Sequence, residues 1–88
     1  MEWVMKIIFD RKVYHYNAIL IQQSRQLEHI RVMAHNKTLC FQSNRPLLLS
    51  KGLKHRKIDL KLIEGTISNA YFLDLLIKSI EEKLRKPI

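Results

Sequence analysis

A single cysteine, Cys40, stands in 88 residues. No internal disulfide and no cysteine-rich metal site can be built from it, and the chain suits a reducing compartment, the cytoplasm by default. Glycine and proline are equally scarce, at two each, and no linker, repeat or low-complexity tract interrupts the chain. Long apolar runs are missing as well: the longest are four residues, AILI at 18–21 and AYFL at 70–73. A membrane span needs roughly 20 such residues. The N-terminal MEWVMKIIFD has no basic lead and carries an acid at Glu2, so it does not read as a signal peptide. Acids are few, eight against sixteen Lys and Arg, for a net charge of +8.

What is present is a globular composition, 47% apolar, which excludes intrinsic disorder and fits one domain spanning 1–88. Alternating apolar and polar residues predict strands at about 3–9, 13–22, 28–35, 38–43 and 57–63. After Gly65 the apolar period lengthens to three and four: Phe72, Leu73, Leu76, Ile77, Ile80 and Leu84 mark a helix over about 69–86, capped by Ser68 or Asn69 and stopped by Pro87. Asn44-Arg45-Pro46 reads as a break. Two-residue turns at Arg11-Lys12 and Asn36-Lys37, with a turn centred on Arg25, place one apolar set on a common face: Phe9 opposite Tyr14, Ala18 opposite Val32, Ala34 opposite Leu39. The expected fold is α+β, an antiparallel meander of four or five strands with one C-terminal helix packed on one face.

The excess charge is local. Residues 45–61 carry six basic groups and one acid, whereas residues 62–88 are balanced. Arg45, Lys51, Lys54, Arg56, Lys57 and Lys61, with Lys6 and Arg31 on the uncovered face, are candidate contacts to a nucleic-acid backbone, which lysines and arginines bind by displacing counterions. The bland alternative is a solvated loop and the wet side of a strand, the usual meaning of a charge run. No aromatic lies in the segment to stack a base, and KGL at 51–53 lacks the aromatics of the RNA-recognition sequence. A second candidate surface is apolar: Val4, Ile8, Ile19, Ile21 and Met33 fall on the uncovered face, where they suit a protein partner or a homodimer.

Catalytic and metal chemistry find no constellation. His15 and His35 fall near one another in the expected register, but no Cys, Asp or Glu joins them to complete three or four ligands. There is no glycine-rich phosphate loop, no G-x-S-x-G and no HExxH. The expectation is a binding module, not an enzyme, with no cofactor, no metal, no membrane and no small-molecule substrate. Trp3 reads as a core or interface anchor.

The run QSNRPLLLSKGLKHRKIDLKLIEG at 42–65, followed by the short helix, resembles a family of short uncharacterised bacterial proteins. That resemblance implies a compact domain and assigns no activity. The order of antiparallel strands and then one helix is also similar to single-strand-binding domains of the Pur-alpha type, an architecture that often dimerises. Architecture does not imply function.

Overall fold

The computed structural model describes residues 1–22, 24–34, 37–53 and 56–85. Five strands, β1 (Glu2–Phe9), β2 (Lys12–Gln22), β3 (Glu28–Ala34), β4 (Lys37–Ser43) and β5 (Leu60–Glu64), form one antiparallel sheet in sequence order. Two helices complete the fold, α1 (Arg45–Ser50) between β4 and β5, and α2 (Ala70–Arg85) at the end. This is the expected α+β meander with a C-terminal helix.

Register is where sequence and structure part. The β2–β3 pairing is as expected, with Ala18 opposite Val32 and Leu20 opposite Ile30. In the other two hairpins the pairing slips by two residues: Phe9 faces Lys12 and Ile7 faces Tyr14, while Val32 faces Leu39 and Ala34 faces Lys37. The first turn therefore sits at Asp10-Arg11, whose φ angles of 51° and 63° are the pair of positive values a type I′ turn requires. Asp tolerates that region better than most side chains, which is why the turn settles one residue earlier than Arg11-Lys12. Because strand side chains alternate with period two, a slip of two leaves every residue on its face. His35 and Asn36 lie outside the described residues, as does Lys86 at the expected helix end.

The covered face is dry. Met5, Ile7, Ala18, Ile30, Val32, Leu39, Phe41 and Leu60 from the sheet meet Leu76, Ile80 and Leu84 from α2. Phe72 makes edge-on contacts with Phe9 and Tyr14, at centroid distances of 5.2 and 5.3 Å, and so seats the first turns of α2 over the β1–β2 turn. The backbone of α2 comes closest to β1 and β5, the two edge strands; the sheet cups the helix. Asn69 is the cap, its side-chain oxygen accepting the Phe72 N–H at 3.0 Å. Lys83 and Arg85 occupy the last turn, at the negative end of the helix dipole.

The 44–56 stretch contains a helix that the break at Asn44-Arg45-Pro46 concealed. Proline in a first turn needs no N–H partner, and Pro46 starts α1. Its end is a Schellman closure: Leu53 N–H donates to Leu48 O at 2.8 Å and Gly52 N–H to Leu49 O at 3.1 Å, with Gly52 at φ 70°. Leu47 N–H donates to Gln26 O at 3.2 Å, tying α1 to the β2–β3 turn. The Asn44 side chain accepts from Asp59 N–H at 2.8 Å. These bonds fix both ends of the crossover, and β5 begins at Leu60, not 57. Ile58, buried just before it, still joins the core.

Candidate functional site

The uncovered face of the sheet is built from the alternate residues of the same strands. Its rows follow from the register: Val4, Asn17, Met33 and Thr38; Lys6 and His15; Ile8 and Val13; Glu2, Ile19, Arg31, Cys40 and Glu64; Ile21, His29, Gln42 and Lys61. All five candidate interface residues lie here. Val4 and Ile8 are 63% and 64% exposed, Ile21 is 37% exposed, and Ile19 and Met33 are half-buried. A shallow hollow lined by Glu2, Val4, Asn17, Ile19 and Met33 opens at one end of this face, beside Trp3. His29 Nε2 lies 3.3 Å from Gln42 Oε1.

The candidate basic residues divide into three groups. Arg45 turns inward: its Nε and Nη2 donate to Glu28 at 2.8 and 2.9 Å, a bidentate pair in which the carboxylate side chain is only 3% exposed. Ser43 donates a further hydrogen bond to Glu28, at 3.1 Å. Hydrogen bonding to Glu28 raises the Arg45 pKa further above its ordinary value, with burial opposing. The Arg45 fork is thus committed to holding α1 against β3, because a buried carboxylate without a partner would be strongly destabilising.

Lys51, Arg56 and Lys57 are exposed on the crossover, and none has an ion-pair partner among the described residues. Lys61 lies next to them on β5 and is 3.9 Å from Asp59, but with both side chains well exposed the pair contributes little. Lys54 lies outside the described residues. Lys6 and Arg31 form the third group, out on the sheet. From the register, Arg31 and Lys61 are two strands apart and one outward position offset, about 12 Å between Cα atoms; Lys6 and Arg31 are about 17 Å apart. Glu2 and Glu64 stand at the two ends of the Arg31 row. Of the seven described candidates, Arg45 is committed to Glu28, Lys6 and Arg31 stand apart on the sheet, and Lys51, Arg56 and Lys57 lie on the crossover that leads into Lys61.

Cys40 is the buried member of the open face, 5% exposed, beside a bulge between β4 and β5. Burial pushes its thiol pKa up, the nearby Glu64 adds to the effect, and Arg31 opposes it. No group of three or more metal-ligating side chains occurs among the described residues; His35 lies outside them. The residue that sequence reasoning passed over is Glu28. Its signal was present, since an acid two positions before Ile30 falls on the core face and must find a partner.

No family model, curated protein or solved structure matches this chain. Its function is therefore argued from its own geometry. No helix among the described residues is long and apolar enough to cross a membrane.

Proposed function

We propose that this protein is a non-enzymatic, cytoplasmic binding module that holds a nucleic-acid phosphate backbone through the crossover between β4 and β5. One observation carries the reading. Within seven residues of the crossover, Lys51, Arg56 and Lys57 stand exposed with no acid partner among the described residues. Three such groups on one pinned segment form a site for phosphates, with little base readout since no aromatic accompanies them. Lys61 borders the same segment on β5.

The test is a titration of labelled single- and double-stranded oligonucleotides at two salt concentrations. Three phosphate contacts on duplex predict a loss of roughly 40-fold in affinity between about 50 and about 200 mM salt. Replacing Lys51, Arg56 and Lys57 together by alanine should flatten that slope without lowering stability. Absence of binding at the lower salt defeats the proposal.

A second reading rests on the exposed side chains of Val4 and Ile8: a protein-interaction or structural unit, with the open face stacked on a partner or on a second copy. Ile21→Lys places a charge on that face, and light scattering then reads whether association is lost.

A further inference from the structure

The two edges of the sheet are built differently. β5 is five residues long, carries the bulge against β4, holds Lys61 and Glu64 with Lys57 and Asp59 just before it, and follows a pinned crossover. These are devices that discourage strand addition. β1 is eight residues long, pairs with β2 without a bulge, and contains no proline. Its free backbone groups can be assigned. Leu20 donates its N–H to Met1 O at 2.8 Å, so Met1 and each second residue after it, Trp3, Met5, Ile7 and Phe9, turn their backbone groups toward β2. Glu2, Val4, Lys6 and Ile8 turn theirs to the open edge.

We propose that β1 is an isologous dimerisation edge, pairing antiparallel with β1 of a second copy so that Val4 faces Val4 on the two-fold axis and Glu2 of each copy faces Lys6 of the other. Charge complementarity selects both occupant and register. Within one chain Glu2 and Lys6 are four residues apart on an extended strand, about 13 Å, too far to pair, and neither has an ion-pair partner among the described residues. Pairing in this register places two opposite-charge pairs directly across the seam. Shifting the axis from Val4 to Lys6 sets Lys6 against Lys6 and Glu2 against Asp10; placing it at Met5 sets Glu2 against Ile8. Only the Val4 axis, of these three, is electrostatically favourable. On the helix side of the same register the half-buried Trp3 faces Met5, an aromatic–thioether contact. The result is a ten-stranded sheet, and it stands independently of nucleic-acid binding.

Sedimentation velocity of the full chain over a micromolar concentration series tests it, with circular dichroism to confirm that each variant is folded. Wild type should dimerise. Lys6→Glu and Glu2→Lys should each weaken the dimer about tenfold, since two attractive cross-strand pairs become repulsive. The double swap Glu2→Lys/Lys6→Glu should restore it, and Ile21→Lys, on β2 and outside the seam, should leave it intact. A strict monomer overturns the proposal, as does a dimer indifferent to both single swaps or a double swap as weak as the singles. Loss of dimer on Ile21→Lys alone assigns the association to the open face instead and also overturns it.

Discussion

Met5 and Ile7 are 2% and 4% exposed; Val4 and Ile8, one residue away on the same strand, are 63% and 64% exposed. A strand presents alternate residues to opposite faces, and here the two faces obey different rules. On the covered face every apolar side chain has a neighbour, and its one acid, Glu28, has a guanidinium and a hydroxyl. On the open face apolar side chains meet water, and Lys6 and Arg31 have no acid in contact among the described residues. Burial gives folding stability to the first face and leaves the second in solvent. The contrast teaches that apolar content alone does not mark this core; α2 decides which half of each strand becomes core.

That contrast can be broken by mutation. Phe41→Ala, at a side chain with no exposure, should destabilise by about 4 kcal/mol in denaturant unfolding, whereas Ile8→Ala on the open face should stay within about 0.5 kcal/mol for the isolated chain. Equal effects would mean that the open face is not open. Arg45→Gln should destabilise by about 3 kcal/mol, because it strands the Glu28 carboxylate. Arg45→Lys should recover part of the loss, since it keeps the charge and loses the fork. A small effect of Arg45→Gln would return Arg45 to the set of free cations.

The two glycines sharpen the same comparison. Both have positive φ, 70° at Gly52 and 88° at Gly65, but a Cβ on Gly65 would lie 2.7 Å from Leu39 Cδ2 and 2.9 Å from Thr38 O, whereas one on Gly52 would meet nothing within 4 Å. Gly65→Ala should therefore destabilise by about 2–3 kcal/mol and Gly52→Ala by about 1 kcal/mol, the backbone strain alone. Cys40 gives the smallest effect. Its raised thiol pKa stabilises the folded state fully below the ordinary thiol pKa, and that contribution is lost as pH rises through the folded value. Alkylation of Cys40 at mildly alkaline pH should be slower in the folded chain than in denaturant; equal rates would show a thiol open to solvent.

The faces were legible in the sequence because period two survives an even slip: Ile7 is a core residue whether it faces Tyr16 or Tyr14. The turns were less legible. Asp10 signals a turn, but choosing Asp10-Arg11 over Arg11-Lys12 requires comparing positive-φ tolerance at neighbouring residues. α1 was hidden by reading Pro46 as a stop when proline is equally a helix start. The fate of Arg45 could not be read locally, since its partner is 17 positions away and meets it only after β3, β4 and α1 are in place. Lys51, Arg56 and Lys57 were legible as charge. The separation of Lys6 from Arg31 followed only from the register.

The strand order carries a kinetic consequence. Every strand pairs with its neighbour in sequence, and three of the four pairings close across short turns. The entropy of loop closure is therefore small for β1 through β4, and a low mean sequence separation favours rapid folding for a sheet protein. The exceptions are β5, which must wait for the α1 crossover, and α2, whose Phe72 must return to Phe9. Substitutions at the Asp10-Arg11 turn should then slow folding, while those in the α2–β1 contact should mainly speed unfolding.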